Sequence, residues 1–206
     1  MVVLGLILIG SYLLGSIPFG YLAGQLAGVD IRHFGSGNIG ATNVVRVLGG
    51  KYGYPVFALD CLKGFGAVKI SMLMAPGQPP EWNSPEVFGI VAAIACVIGH
   101  SYPAWLKFKG GKGVATSAGS LLALMPVAAV IGVATWMLVF FVTRYVSVAS
   151  ITAAVTLPFV ISITVRNETG KAMFYFSICV AAVVIWRHRS NLSRLMRGTE
   201  QRFTRK

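Results

Sequence analysis

Hydrophobic residues fall into stretches of about 20, the length that a helix needs to cross a membrane, and short polar segments separate them. The apolar stretches cover residues 2–27, 53–75, 86–106, 114–142, 146–165 and 172–186. The alternating pattern typical of a membrane β-barrel does not occur. The pattern therefore predicts an all-α, polytopic integral membrane protein, with residues 1–206 forming a single membrane-embedded domain.

Two prolines change how these stretches are divided. Pro18 follows Gly-Ser-Ile in the first stretch and predicts a kink, because proline removes a helix hydrogen bond. One helix over 114–142 would reach about 43 Å at 1.5 Å per residue, against an apolar core of about 30 Å. Pro126 is therefore predicted to divide it into a short helix, 114–125, and a longer one, 126–142. The count becomes about seven transmembrane helices.

Composition and charge agree with this class. Hydrophobic residues make up 55% of the chain and charged residues only 12%, against about 25% charged in soluble domains. The net charge is +12. In a soluble protein that charge would suggest nucleic acid, but in a membrane protein basic residues mark cytoplasmic loops. No nucleic-acid partner is therefore expected.

Loop charge also predicts the orientation. We interpret the first stretch as a retained span, with the N-terminus outside and the C-terminus cytoplasmic. Seven crossings then place most of the basic residues of the loops on the cytoplasmic side. These are Arg32, Arg46, Lys51, Lys107, Lys109, Lys112 and Arg144, together with the tail. Arg166 and Lys171 are exceptions. The loop 76–85, which has an acidic residue but no Lys or Arg, falls on the opposite side.

The loop between the first two spans is dense in hydrogen-bond donors. Glycines at three of six positions allow a ligand to approach the backbone, and the arginine suits a phosphate group. A helix starting near Thr42 would add amides that point at an anion. The alternative is a capped loop that only turns back into the membrane, but the donor density favours binding. The candidates in this loop are Ser36, Gly37, Asn38, Thr42, Asn43 and Arg46.

A second segment, 108–117, reads F-K-G-G-K-G-V-A-T-S. Gly110, Gly111 and Gly113 flank Lys112 where a helix begins, an arrangement that suits a phosphate held by amides and one point charge. It is not a Walker A loop, because Lys112 is followed by glycine and no βαβ unit surrounds it. A basic linker that only marks the cytoplasmic side is the alternative.

Further polar groups lie in the tail and within the spans. His188, Asn191 and Leu195 share a face if the last helix continues past residue 186. Asp60 and Lys63 lie one turn apart in an apolar helix, where an internal ion pair and a catalytic role are equally open. His100, near the end of the third span, is interpreted as a structural histidine.

The types of residue limit the chemistry. Carboxylates are almost absent from the candidate segments, so Mg²⁺ sites and two-carboxylate catalysis are not expected. No G-x-S-x-G nucleophile motif occurs. The segments predict a cation-rich site at the lipid interface, with neither metal nor cofactor, for a phosphate-bearing substrate beside an apolar one. A small transporter of phosphorylated or anionic solutes is the alternative function.

Motifs along nearly the whole chain resemble the bacterial acyl-phosphate:glycerol-3-phosphate acyltransferases. The matching strings are G-S-I-P-F-G-Y, G-S-G-N-I-G-A-T-N-V-x-R, D-x-x-K-G, G-H-x-x-P, F-K-G-G-K-G-V-A-T, R-Y-V-S-V-A-S-I and H-R-x-N-L-x-R-L-x-x-G-x-E. The resemblance implies acyl transfer from acyl phosphate to the sn-1 hydroxyl of glycerol 3-phosphate. The product would be lysophosphatidic acid, used in phospholipid synthesis. It also implies an active site that faces the cytoplasm from the bacterial inner membrane.

The resemblance assigns roles to residues that match the family's motifs. It implies a catalytic set of Ser36, Arg46, Lys112, His188 and Asn191. It makes the glycines around Lys112 a glycerol-phosphate loop and Glu200 a structural residue. The implied partners are the two substrates, membrane lipids and, through contact, the enzyme that produces acyl phosphate. Whether His188 or a substrate phosphate acts as general base stays open.

Overall fold

The structure, a computed structural model, describes residues 2–75, 84–165 and 168–203, and these form two compact units. The first unit is Met1–Leu124 and the second is Met125–Lys206. Helices of the first unit are α1 (Val2–Ser16), α2 (Phe19–Leu26), α3 (Ala41–Leu48), α4 (Gly50–Leu73), α5 (Pro85–Ser101) and α6 (Val114–Leu124). Those of the second are α7 (Pro126–Thr143), α8 (Val146–Thr164), α9 (Glu168–Arg187) and α10 (Arg189–Met196). The described residues contain no strand.

Glycines bring the helices of the first unit into close contact. A Cβ at Gly15 of α1 would collide with the Cys96 carbonyl of α5, and one at Gly119 of α6 would collide with the Cys61 carbonyl of α4. Apolar side chains gain little from leaving lipid for a helix interface. Close packing between small residues therefore holds membrane helices together. The sequence uses glycine where two backbones touch.

The predicted break at Pro18 is confirmed, since α1 ends at Ser16 and α2 begins at Phe19. A broken helix leaves carbonyl groups without the amide that normally follows four residues later. The Lys63 ammonium of α4 donates to the Ile17 carbonyl at 2.8 Å. The break therefore supplies a partner for a buried cation.

In the second unit α8 packs against both α7 and α9. The indole Nε1 of Trp136 on α7 donates to Ser150 Oγ on α8 at 3.1 Å. Arg144 ends α7 in a left-handed conformation, with φ of 60°. The tail returns to this turn, where the Phe203 amide donates to the Arg144 carbonyl at 2.8 Å. The turn and the tail are thus part of one structure.

The helix bounds confirm some sequence predictions and correct others. Pro126 does divide the long apolar stretch, because it is the first residue of α7. The last span begins earlier than predicted, at Glu168, and does not run on into the tail. It ends at Arg187, and α10 is a separate helix that starts after His188. The predicted loop 76–85 lies, up to residue 83, outside the described residues, as does Arg166.

Among the described residues, five helical segments are long and apolar enough to cross a membrane. The helix α4 has the length, at 24 residues, but carries Asp60 and several lysines. The helix α6 has 11 residues, which corresponds to only about 16 Å at 1.5 Å per residue. The chain is therefore a helical membrane protein, while seven crossings and the orientation of the termini stay predictions. The single-domain assignment also stays a prediction.

Candidate active site

The buried side chain of Asn43 organises the first glycine-rich loop. Its Oδ1 accepts from the Ser36 amide at 2.8 Å, while its Nδ2 donates to the carbonyls of Phe34 at 3.0 Å and Asn38 at 2.9 Å. Oδ1 of Asn38 accepts from the Gly40 amide at 2.8 Å. The Asn43 side chain, predicted to bind a ligand, therefore uses both its oxygen and its nitrogen on the loop backbone, and the Asn38 side chain uses its oxygen there.

Two glycines allow this loop to close around Asn43. Gly35 and Gly37 have φ of 60° and 69°, a left-handed region that favours glycine. A Cβ at Gly35 would collide with Asn43 Oδ1. Between them Ser36 is exposed, and α3 starts at Ala41, close to the predicted start. Thr42 and Arg46 lie on α3 and are half-buried.

An ion pair fixes the start of the same loop. The Arg32 guanidinium binds both oxygens of Asp30 and lies 4.8 Å from the centre of the Tyr21 ring. The hydrogen bonds from Arg32 lower the pKa of Asp30 to about 2. Arg32 is thus already paired with a carboxylate, which leaves Arg46 as the sequence-predicted arginine for a substrate in this loop.

The second loop is attached to the end of α5. The amides of Gly110 and Gly111 donate to the carbonyls of Ser101 and His100, each at 3.1 Å. Gly113 has φ of 79° and lies immediately before α6. Lys112, half-buried, lies between the part held by α5 and the first turn of α6. The loop therefore holds its lysine from both sides.

Asp60, Lys63 and His100 form one buried cluster in the first unit. Lys63 Nζ lies 2.8 Å from Asp60 Oδ1, and His100 Nδ1 lies 3.4 Å from the same oxygen. Their side chains are between 2% and 5% exposed, so no bulk water screens the charges. His100, interpreted from the sequence as a structural histidine, thus lies beside the Asp60–Lys63 pair.

In the second unit, His188 and Asn191 each have a defined partner. His188 Nδ1 donates to the Val184 carbonyl at 2.8 Å, one turn back in α9. A carbonyl only accepts, so Nδ1 carries a proton and Nε2 carries the lone pair of the neutral ring. Asn191 Nδ2 donates to Glu200 Oε1 at 2.6 Å. Both side chains are buried at the junction of α9 and α10.

Glu200 collects three donors. Besides Asn191, its carboxylate accepts from Ser147 Oγ at 3.0 Å and from Arg194 Nε at 2.7 Å. Burial alone would raise the pKa of Glu200, but these three hydrogen bonds outweigh it and hold the pKa below its ordinary value. Glu200 therefore connects α10 to the start of α8 as a carboxylate.

The predicted site residues fall in both units. The first unit contains Ser36, Gly37, Asn38, Thr42, Asn43, Arg46, Gly110, Gly111, Lys112 and Gly113, and the second contains His188 and Asn191. Within the first unit, the structure brings Ser36 and Asn38 to Asn43. Within the second, His188 lies directly before α10 and Asn191 lies in its first turn. The described residues contain no group of three His, Cys, Asp or Glu side chains arranged for a metal ion.

Sequence reasoning missed two connections. Ser147 was not singled out, and no local pattern links it to Glu200, 53 residues away. Asp60 and His100 lie 40 positions apart, and only the rule that ionisable groups in apolar helices usually pair points from one to the other.

These features define a class: an integral membrane protein whose glycine-rich, basic loops suit phosphate groups. The chain belongs to the glycerol-3-phosphate acyltransferase family, whose sequence model matches residues 5–198. The family resemblance inferred from the motifs is thereby confirmed.

Individual relatives match over nearly their full lengths. The glycerol-3-phosphate acyltransferase of Desulforamulus reducens is 44% identical over 196 residues, covering 95% of this chain and 92% of the relative. That of Aquifex aeolicus is 43% identical over 203 residues, covering 96% and 97%.

Two crystal structures of PlsY, an integral membrane glycerol 3-phosphate acyltransferase, have the same fold and are 40% identical to this chain. The glycerol 3-phosphate form superposes with a TM-score of 0.86, covering 98% of this chain and 96% of PlsY. The lysophosphatidic acid form gives 0.84, with 98% and 95% covered.

Proposed function

We propose that this chain transfers a fatty acyl group from acyl phosphate to the sn-1 hydroxyl of glycerol 3-phosphate. The observation that carries the proposal is family membership, together with crystal forms of the related PlsY that are named for glycerol 3-phosphate and lysophosphatidic acid. These two molecules differ by one acyl group. A reaction that joins them is an acyl transfer to a hydroxyl.

The chemistry requires little activation of the donor. The hydroxyl oxygen forms a bond to the acyl carbon, the bond from that carbon to the phosphate oxygen breaks, and phosphate leaves. The hydroxyl proton passes to a base, either His188 Nε2 or a phosphate oxygen of a substrate. Holding two reactants in register can contribute about 7–11 kcal/mol.

The anions define the work of the basic residues. Both substrates carry phosphate, so cations must hold them side by side. Arg46 offers a planar fork that matches two phosphate oxygens, and Lys112 offers a point charge among backbone amides. Ser36 is an exposed hydroxyl donor within the first loop. We propose Ser36, Arg46, Lys112, His188 and Asn191 as the residues that contact substrate.

The same proposal includes the setting of the enzyme. Seven spans with the N-terminus outside would put the basic loops and tail on the cytoplasmic face of the bacterial inner membrane. Charge bias in the loops supports this orientation. A soluble anionic substrate and a lipid-like donor could then meet at one interface. The enzyme that makes acyl phosphate would deliver the donor by contact at that face.

One assay tests the function. The purified protein in detergent is given labelled glycerol 3-phosphate with acyl phosphate, and acyl-CoA replaces acyl phosphate in a parallel reaction. We expect lysophosphatidic acid in the reaction with acyl phosphate and none in the reaction with acyl-CoA. Absence of product, together with labelled glycerol 3-phosphate entering proteoliposomes, would instead support the transporter.

Variants of the second loop make the assay specific. Lys112→Ala should lower kcat/KM by about 10²–10³-fold, the effect of removing one well-placed charge donor. Lys109→Ala is the matched control, because Lys109 is an exposed lysine of the same loop. Equal activities in the two variants would exclude Lys112 from the site.

A further inference from the structure

A chain of buried contacts leads from the break in the first span to the second glycine-rich loop. It begins where Lys63 donates to the Ile17 carbonyl and continues through Asp60, which lies beside both Lys63 and His100. These residues belong to α4 and α5, except the carbonyl, which follows α1. Three helices are therefore tied together at one charged point.

The cost of this arrangement indicates a purpose beyond packing. Charged groups in the apolar interior are expensive, and a buried ion pair stabilises a fold no better than apolar residues of similar volume. An apolar trio would connect the same helices without that cost. The charged cluster does something that apolar residues could not do. It holds the ring of His100 in a fixed direction, because Asp60 lies beside that ring.

The direction of the ring can be read from its neighbours. Nδ1 of His100 faces Asp60 Oδ1, at 3.4 Å. The opposite edge of the ring lies against Gly111, where a Cβ would collide with Nε2 and come within 2.8 Å of Cε1 and 3.0 Å of Cδ2. Asp60 thus fixes one edge, and the other edge touches the residue before Lys112.

The backbone of His100 contacts the same loop. Its carbonyl accepts from the Gly111 amide at 3.1 Å, and the Ser101 carbonyl accepts from the Gly110 amide at 3.1 Å. One residue therefore supports the loop through both its main chain and its ring. The imidazole by itself explains the lack of a side chain at Gly111, because it fills the space that a Cβ would need.

We infer that Asp60 and His100 form a positioning pair, which sets the backbone of residues 110–113 and so places Lys112 for the phosphate of glycerol 3-phosphate. The inference rests on the proposed function. Neither residue is assigned a contact with substrate. Lys63 neutralises Asp60, and the Ile17 carbonyl in turn holds Lys63.

A double-mutant cycle tests the contact between ring and loop. Gly111→Ala should raise the KM for glycerol 3-phosphate by about 10²-fold, the effect of displacing a binding group by about 1 Å. In a His100→Ala background the ring is gone and the new methyl has space. There we expect the further rise in KM caused by Gly111→Ala to be at least tenfold smaller.

Gly110→Ala is the matched control for the cycle. A Cβ at Gly110 would meet the His100 carbonyl, which the His100→Ala variant retains. Its effect on KM should therefore be equal in both backgrounds. If Gly111→Ala is equally harmful with and without the ring, the inference is wrong, because the methyl group then collides with something else.

A second variant separates positioning from folding. His100→Asn keeps a donor for Asp60 but removes the ring edge at Gly111. We expect a glycerol 3-phosphate KM raised about tenfold or more, with Tm and the acyl-phosphate KM close to those of the wild type. Ser71→Ala, a buried hydroxyl of α4 that contacts α5, should change neither KM. An unchanged glycerol 3-phosphate KM in His100→Asn overturns the inference.

The two proposals fail in different ways. If the wild type transfers no acyl group, the proposed function is wrong. The same cycle can then be measured as the thermal shift produced by glycerol 3-phosphate binding. A shift that follows the predicted pattern keeps the loop inference, and a wild type without any shift ends it.

Discussion

Asn191 donates its side-chain amide to Glu200 Oε1 at 2.6 Å, so a proposed substrate-binding residue is held by the carboxylate of the tail. Arg194 and Ser147 bind the same carboxylate. Hydrogen bonds to a charged acceptor are shorter and roughly twice as strong as neutral ones. Glu200 therefore fixes the amide orientation of Asn191 without itself being placed in the site.

Glu200→Gln should disturb Asn191 through this bond. The neutral amide keeps the size of the side chain but weakens its bonds to Asn191 and Arg194. We expect kcat/KM to fall about tenfold, since a hydrogen bond to a charged group contributes roughly 1.5–3 kcal/mol. Arg202→Ala is the control, because Arg202 lies in the same tail but contacts Tyr145 and not Glu200. Normal kinetics in Glu200→Gln would show that the function of Asn191 does not depend on Glu200.

Acid should remove the same interaction in the wild type. The folded state lowers the pKa of Glu200, so its stabilisation is complete above the unfolded value, about 4.5, and is lost as pH falls through the folded pKa. The Tm difference between wild type and Glu200→Gln should be constant above that value and shrink below it. A Tm difference that grows on acidification would mean that the folded state raises the pKa of Glu200, which would contradict this prediction.

Asn43→Ala should loosen the first loop more than Asn38→Ala does. The Asn43 side chain bonds to the backbone of four residues, whereas the Asn38 side chain holds one amide. A buried group left unsatisfied costs about 1–3 kcal/mol. We expect a lower Tm and a raised substrate KM for Asn43→Ala, measured by thermal unfolding and acyl transfer. The reverse order of the two variants would contradict the role given to Asn43.

The elements that followed from sequence were those fixed by local chemistry. Pro18 and Pro126 break helices because proline cannot donate a hydrogen bond, and the apolar stretches predicted the membrane class. The contacts of Glu200 with Ser147, and of His100 with Gly111, depend on how distant segments pack. No period or motif in one sequence encodes such a distance. Glycine spacing indicated a tight loop at Gly111, but the ring beneath it could only be found in the structure.

Cysteine labelling tests the orientation. In a variant without the native cysteines, single cysteines replace Lys51, Lys109, Arg144 and Arg197, all on the side predicted to be cytoplasmic. We expect an impermeant thiol reagent to label none of them in intact cells and all of them in inverted vesicles. Labelling of any one from outside, with the rest protected, would exclude seven crossings.

His188→Asn distinguishes a base from a binding group. The Val184 carbonyl fixes the protonated nitrogen as Nδ1, so no carboxylate is needed to orient the ring, and Nε2 carries the lone pair of the neutral form. If Nε2 takes the proton of the attacking hydroxyl, the variant should lose kcat at unchanged KM. The acidic limb of the wild-type profile should also disappear, because that limb reports protonation of the base.

If His188 only binds, KM should rise and the limb should remain, which would leave a substrate phosphate as base. We expect the second result, since phosphate is a competent proton acceptor and Nε2 of the protonated ring can donate to a substrate anion while Nδ1 stays bonded to Val184. Steady-state kinetics across the pH range, with both substrates varied, would decide between the two.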